Sequence, residues 1–228
     1  MGALDLRSFV VAVPSARPGA TVRRIAVSLA VRSGEIVAVV DPVDDPGAGP
    51  ADSTALARAV AGLVEPVAGQ VLVHGIDVTA RALDDREIRH VPAGGGLLPH
   101  LTVEQNVRYG LDRSLVAREE AERRVRDAIE RWDLPFMLDA VPQDLANEQR
   151  LQVAVARAAV CRPEALVADL PAAPTGSARL REIFQRTGVA VLLCSGNPAV
   201  VAAADRSVPA TVVTASASPP TRQPSGGG

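Results

Sequence analysis

The sequence predicts an α/β fold with a mostly parallel sheet, an N-terminal antiparallel β element and a helical subdomain. Short apolar runs alternate with helical patterns, which is typical of parallel strands buried on both faces. Hydrophobic residues make up 47% of the 228 residues, whereas aromatic residues make up only 2%. Because a chain of this length can bury a core without disulfides or metals, one main domain is expected.

The first two β segments are predicted to pair with each other. Leu4 to Val13 and Arg24 to Val31 are separated by a turn at Pro18 and Gly19, a composition that favours an antiparallel pair. The remaining strands are predicted in four later apolar runs: Glu35 to Val40, Gln70 to Val73, Ala165 to Asp169 and Val189 to Cys194. Since helical patterns lie between several of these runs, the strands should be mostly parallel.

Two helices should form an insertion between the central and later strands. From Ser114 to Leu134 the apolar positions fall on one stripe, which is typical of an amphipathic helix. A second helical pattern runs from Glu148 to Val160. We therefore expect one domain over residues 1–213 with a helical insertion at about 114–160. Residues 214–228 are rich in Ser, Pro and Gly and are predicted to be disordered.

Charge and composition exclude several classes of function. The net charge is −2 and the pI about 5.9, so no basic field exists to attract nucleic acid. Cys161 and Cys194 fit no zinc or redox spacing and should be free thiols. The histidines, His74, His90 and His100, lack ligand spacing and are expected on the surface or in loops.

Membrane insertion is also not expected. No segment approaches the roughly 20 apolar residues that span a bilayer, and the N-terminal apolar run is too short for a signal-peptide core. We expect a cytoplasmic protein that reaches the inner face of the cell membrane only through its partners.

The segment from Gly34 to Leu63 has the layout of a phosphate-binding loop, with a strand, a Gly/Pro-rich loop and a helix. In such a loop, backbone N–H groups converge on phosphate at a helix N-terminus, while Lys reaches the terminal phosphates and Ser or Thr binds magnesium. Ser53 and Thr54 match the Ser/Thr end of this motif. All 24 residues counted as Lys plus Arg are Arg, so no Lys is present to complete the site.

Four partial motifs in the right order make the chain resemble the ATP-binding subunit of an ABC transporter, from about Leu4 to Val213. The first is this loop, and the second is GLVEPVAGQVLVHGIDVT, from residue 62. The third, LLPHLTVEQNV from residue 97, resembles the segment after that family's glutamine-bearing loop and has an importer-like character. The fourth, DLANEQRLQVAVARA from residue 144, matches the length and register of the signature motif and its helix.

The resemblance implies a P-loop NTPase-like ABC ATPase fold, with ATP and Mg²⁺ as ligands. It also implies an ABC permease and a second ATP-binding subunit as partners. Ser53, Thr54 and Gln149 occupy nucleotide-binding positions, and Thr54 and Asp169 occupy the positions on the magnesium side. We interpret these residues as vestigial, because the other catalytic positions carry different side chains.

The departures begin in the phosphate-binding loop. Registered on Ser53 and Thr54, the Lys position is Asp52, the preceding Gly is Ala51 and the first Gly is Pro46. Counted from the strand instead, the loop is about five residues longer than the family pattern. Asp52 in place of a cation would repel phosphate, since unit charges 4 Å apart interact by ~4 kcal/mol at an effective dielectric near 20.

Further departures fall at the other motifs. Ala146, Asn147 and Glu148 stand at the Ser-Gly-Gly positions of the signature. Leu170 replaces the glutamate that polarises water, and leucine cannot act as a general base. Ala93 stands at the position of the glutamine that contacts metal and water in the family, and Gly196 stands at the position of its switch histidine.

We therefore expect a degenerate homologue with no catalytic residues and no required cofactor, in which ATP and Mg²⁺ bind only as a residual activity. It would act as a non-catalytic, transporter-associated subunit. Two alternatives stay open: a functional ATP-binding subunit that energises an ABC importer, and a cytosolic regulatory or scaffold protein that reuses the fold. Structural roles also compete at two residues, because Ser53 could be a helix N-cap and Asp169 could cap the turn after its strand.

Overall fold

The computed structural model describes residues 2–13, 22–41, 50–111 and 116–213, with the backbone alone at Pro50 and Ala51. Ten strands lie in this part of the chain: β1 (Leu4–Val13), β2 (Arg23–Val31), β3 (Ile36–Val40), β4 (Ala68–Val73), β5 (Ile76–Asp77), β6 (Ile88–Val91), β7 (Ala165–Asp169), β8 (Ala190–Cys194), β9 (Arg206–Pro209) and β10 (Thr211–Val212). They form an antiparallel sheet in the order β10-β2-β1-β4-β5 and a parallel sheet in the order β6-β7-β8-β3-β9.

The same residues contain six α-helices: α1 (Pro50–Ala61), α2 (Val103–Tyr109), α3 (Arg118–Arg131), α4 (Asn147–Ala159), α5 (Ser177–Gln185) and α6 (Pro198–Val201). Short 3-10 helices lie at Leu83–Arg86, Ala93–Gly96, Pro135–Met137 and Pro142–Asp144. Among the described residues, no helix has both the length and the apolar character needed to cross a membrane.

The parallel sheet separates two hydrophobic cores because alternate residues of a strand face opposite sides. Ile36 and Ala38 of β3 belong to the core that includes α2 to α6. Val37 and Val39 belong to the core that includes α1 and the antiparallel sheet. All residues of β7 and β8 are buried, as expected for parallel strands covered on both faces. Helix α1 therefore packs against both sheets.

The predicted α/β class, the parallel sheet and the N-terminal antiparallel element are confirmed. Strands β1 and β2 pair in antiparallel register from Leu4 opposite Val31. The helix predicted from Ser114 to Leu134 is shorter, since α3 spans Arg118–Arg131, and Ser114 lies outside the described residues. The loop position Pro46 and the tail 214–228 also lie outside them, and the division into residues 1–213 with an insertion at 114–160 stays a prediction.

Strand β6 was not predicted from the sequence. Its apolar ends, Ile88 and Val91, are buried, but Arg89 and His90 between them break the apolar run. The strand pairs with β7 at one end of the sheet order, which leaves one side free of strand partners among the described residues. The expectation of a surface or loop histidine is wrong for His90, which is half-buried in this strand. Burial lowers the pKa of His90 to about 4.

A buried asparagine fixes the loop that leads into α2. Asn106 is 0% exposed, and its Oδ1 accepts the Leu98 N–H at 2.8 Å. Its Nδ2 donates to the carbonyls of Leu98, Leu101 and Thr102. One side chain thus pairs the Leu98 N–H and the Leu101 carbonyl, while the Leu98 and Thr102 carbonyls also accept backbone N–H groups.

Candidate functional site

Three strands of the parallel sheet end at one edge, close to the start of α1. Asp41 follows β3, Asp169 ends β7, and Gly196 lies two residues after β8. In open α/β sheets, ligands bind at the carboxyl ends of the strands. This edge is therefore the candidate site, and it contains three of the four predicted ligand-binding residues, Ser53, Thr54 and Asp169.

Ser53 contacts an aspartate that the sequence did not single out. The Ser53 hydroxyl donates to Asp41 Oδ1 at 2.5 Å. Because α1 begins at Pro50, Ser53 lies inside the helix, and the interpretation of Ser53 as the N-cap is wrong. Burial raises the pKa of Asp41, and the negative charge of Asp52 adds to this, against the opposing effect of the Ser53 hydrogen bond.

Asp52, at the position of the missing lysine, forms an ion pair inside the protein. Its carboxylate contacts the Arg23 guanidinium on β2, and its side chain is only 2% exposed. The repulsion expected from an isolated Asp52 is therefore an overestimate, since Arg23 offsets part of the negative charge. Arg23 gave no signal in the sequence, because 29 residues separate it from Asp52.

Thr54 and Asp169 lie together, as the resemblance implies. The Thr54 hydroxyl is close enough to the Asp169 carboxylate to lower its pKa, and Asp169 Oδ1 is buried without a hydrogen-bond partner in the described part of the chain. Burial raises the pKa of Asp169, and the nearby charge of Asp41 raises it further. Within the described ranges, no group of three or more His, Cys, Asp and Glu side chains is arranged to hold a metal ion.

The fourth predicted residue, Gln149, stabilises its own helix. Its Oε1 accepts the backbone N–H of Ala146 at 2.8 Å, which satisfies one of the free N–H groups at the start of α4. No hydrogen bond in the described residues joins Gln149 to Ser53, Thr54 or Asp169.

Glu148, beside it, binds the segment around α5. It accepts hydrogen bonds from Thr175 Oγ1 at 2.7 Å and from Arg179 Nε at 2.8 Å. The Arg179 hydrogen bond is the main cause that lowers the pKa of Glu148, and the Thr175 hydrogen bond adds to it. In this structure the signature segment is therefore bonded to its own chain.

Two further substituted positions are built into the packing. Leu170, at the position of the water-polarising glutamate, is buried in the hydrophobic core, and its carbonyl accepts the Ser195 hydroxyl. At Gly196, a Cβ atom would lie 2.4 Å from Asp41 Oδ2. A side chain at residue 196 therefore requires Asp41 to move. Asp41 could have been noticed in the sequence, because it is a charged residue directly after a buried strand.

The sequence profile of the ABC transporter family matches residues 26–173. The chain belongs to this family. It is 41% identical over 159 residues to the spermidine/putrescine import ATP-binding protein PotA of Acidothermus cellulolyticus, an alignment that covers 70% of this chain and 40% of that protein. It is 33% identical over 171 residues to the Fe(3+) ions import ATP-binding protein FbpC of Pasteurella multocida, covering 72% and 47%. The chain thus spans less than half the length of either ABC relative.

A solved structure has the same fold. The protein cbiO1 from Clostridium perfringens, described as part of the ABC transporter complex cbiONQ, superposes with a TM-score of 0.71 and 19% identity. The match covers 93% of this chain and 87% of that one. The predicted ABC ATPase fold is therefore confirmed.

Proposed function

We propose that this ABC-family chain is a non-catalytic homologue of ATP-binding subunits and acts within a transporter. The observation that carries the proposal is the position of Asp41. Its carboxylate accepts the hydroxyl of Ser53 in the first turn of α1, where a phosphate-binding loop offers donors to its ligand. An internal carboxylate competes with phosphate for this donor and also repels it.

The described side chains at this edge do not fit a magnesium-bound nucleoside triphosphate. Asp41, Asp52 and Asp169 are acidic, and Asp52 contacts Arg23 in place of a phosphate-binding lysine. The pair of Thr54 and Asp169 could still contact a cation, but the buried Leu170 next to it can neither take a proton nor orient water. We therefore assign no catalytic residue and no required cofactor.

The names of the relatives support an importer as the setting. PotA and FbpC are both named import ATP-binding proteins, one for polyamines and one for iron(III). Because these cargoes differ in chemistry, the names indicate no particular substrate for this chain. A permease and a second ATP-binding subunit would be its partners, and contact with them would place it at the inner face of the membrane.

A groove borders the segments to which the resemblance assigns contact with a permease. It has a volume of about 880 Å³ and lies beside the loop that follows β6, against α2 and α4. Leu98, Tyr109 and Arg157 are among its lining residues, and Tyr109 is 66% exposed. The resemblance assigns permease contact to the loop around Ala93 and to the helical insertion, and both border this groove.

Phosphate release tests the loss of catalysis. The purified chain with Mg-ATP should release phosphate at the same rate as its Asp169→Asn variant, because a contaminating ATPase would act equally in both samples. Turnover that is clearly faster in the unmodified chain would overturn the non-catalytic assignment and favour the functional importer subunit.

Co-purification tests the transporter setting separately. A permease expressed with the chain should remain bound to it after extraction from membranes. Failure to associate in several detergents would contradict this setting and favour the regulatory or scaffold alternative.

A further inference from the structure

A second cavity lies away from the candidate site at the carboxyl edge of the parallel sheet, which is called the nucleotide edge below. Its volume is about 230 Å³, and its lining includes three arginines from two elements, Arg124 and Arg131 of α3 and Arg162 in the turn after α4. Asp127 and Trp132 line it as well. The cavity adjoins the turn that precedes β7 and the loop that precedes β8, so it lies at the amino ends of strands whose carboxyl ends form the nucleotide edge.

The guanidinium groups around this cavity exceed the carboxylates that pair with them. Arg124 binds Glu120 through Nε at 2.7 Å, and Arg162 Nη1 is 3.6 Å from the same carboxylate. Glu120 also pairs with Arg123, and Asp127 is 3.8 Å from Arg123. Three arginines, Arg123, Arg124 and Arg162, thus share two carboxylates. In the described residues Arg131 pairs with neither of them, which leaves a net positive charge beside the cavity.

Several guanidinium N–H groups remain available to a ligand. In the described residues, Arg124 makes its hydrogen bond through Nε alone, and Arg131 donates only from Nη1, to the Arg186 carbonyl at 3.3 Å. Arg162 makes no hydrogen bond there through its guanidinium and is 56% exposed. Planar guanidinium groups bind phosphate through paired N–H donors. Donors from α3 and from the turn after α4 can together surround a tetrahedral oxyanion.

We propose that this cavity binds a small soluble molecule that bears a phosphate group. The volume suits a compact ligand, since it falls below the range of about 300–1,000 Å³ typical of drug-sized ligands. A phosphate held there contacts α3 on one side and the turn before β7 on the other. Binding should therefore fix the helical insertion against the parallel sheet, independently of the nucleotide edge.

The sole tryptophan of the chain reports on this cavity. Trp132 is 3% exposed, and its ring lies 6.0 Å from the guanidinium carbon of Arg131. Titration of the full chain with inorganic phosphate, and separately with glycerol 3-phosphate, should change Trp132 fluorescence saturably in the millimolar range. Chloride at the same ionic strength should produce no saturable change.

Two charge-matched variants make the assignment specific. Arg162→Gln should weaken phosphate binding at least about tenfold, because it removes a charge-assisted hydrogen bond to the ligand. Arg126→Gln removes the same charge from an exposed position of α3 that does not line the cavity and should leave binding unchanged. No saturable response to either phosphate compound, or equal weakening in both variants, would overturn the proposal.

Discussion

At the scale of single residues, the candidate site is defined by a carboxylate. Asp41 Oδ1 accepts the Ser53 hydroxyl, and its other oxygen occupies the space beside Gly196. Residues 41 and 196 are therefore sterically linked, since a side chain at residue 196 excludes the present conformation of Asp41. Two positions that look independent in the sequence belong to one packing arrangement.

This link predicts a coupled pair of variants. Gly196→Ala should destabilise the chain by about 1–2 kcal/mol, because the new Cβ overpacks the site against Asp41 Oδ2. In an Asp41→Ala background, the same change should cost much less. Urea unfolding of the four proteins measures the coupling free energy, and equal costs of Gly196→Ala in both backgrounds would contradict the predicted contact.

The raised pKa of Asp41 predicts a dependence of stability on pH. At pH 7 the carboxylate is ionised in both the folded and unfolded states, and burial disfavours this charge in the folded state. Asp41→Asn should therefore raise the melting temperature at pH 7. As the pH falls through the raised pKa of Asp41, the folded state of the unmodified chain takes up a proton before the unfolded state does. The advantage of the variant should therefore disappear towards pH 3.8, the ordinary pKa of an aspartate.

A second aspartate provides a control of opposite sign. The Ile36 N–H and Arg181 lower the pKa of Asp205. Asp205→Asn should therefore lower the melting temperature at pH 7, and this loss should shrink as the pH falls. If Asp41→Asn is destabilising at pH 7 in the same way, the assignment of a buried, unfavourable charge at Asp41 is wrong.

At the scale of elements, ion pairs link α5 and the residue after it to the start of α4 and the end of α3. Glu148 joins the start of α4 to Arg179 of α5, and Arg179 and Arg186 both pair with Glu182. Arg186 also pairs with Asp133, just after α3. These contacts connect both helices of the predicted insertion to α5, although each exposed pair contributes at most about 1 kcal/mol.

The loop before α2 should depend strongly on Asn106. Asn106→Ala should destabilise the chain by about 2–4 kcal/mol, because it opens a cavity at a fully buried side chain and leaves the Leu98 N–H and the Leu101 carbonyl without their partner. Gln105→Ala removes the neighbouring capping contact to Thr102 and should cost only about 0.5–1 kcal/mol. Urea unfolding measures both, and a cost of Asn106→Ala no larger than that of the control would contradict this role.

At the scale of the whole molecule, the sequence predicted the architecture better than the site. Apolar periodicity located β1, β3, β7, β8 and α4 to within about a residue, because burial on the faces of the sheet determines those patterns. Strand β6 was missed because Arg89 and His90 interrupt its apolar run. The contacts of Asp41 and Asp52 were missed because they depend on tertiary packing, which no local pattern encodes.

The resemblance identified Ser53, Thr54 and Asp169, and the structure places them at one edge of the sheet. It gave no indication that Gln149 bonds to the start of its own helix, or that Arg23 pairs with Asp52. Both facts come from side-chain geometry. The acidic character of this edge could therefore be predicted in outline, but its hydrogen bonds and ion pairs could not.

Titration with Mg-ATP while the melting temperature is followed tests the central proposal most directly. A ligand that binds only the folded state raises the free energy of unfolding by RT ln(1 + [L]/Kd). Even weak binding is therefore detectable at high ligand concentration. The acidic edge predicts no saturable shift with Mg-ATP, either in the unmodified chain or in Asp169→Asn. A saturable rise in melting temperature at sub-millimolar Mg-ATP that Asp169→Asn abolishes would contradict the proposal that this chain is a non-catalytic homologue with no nucleotide site.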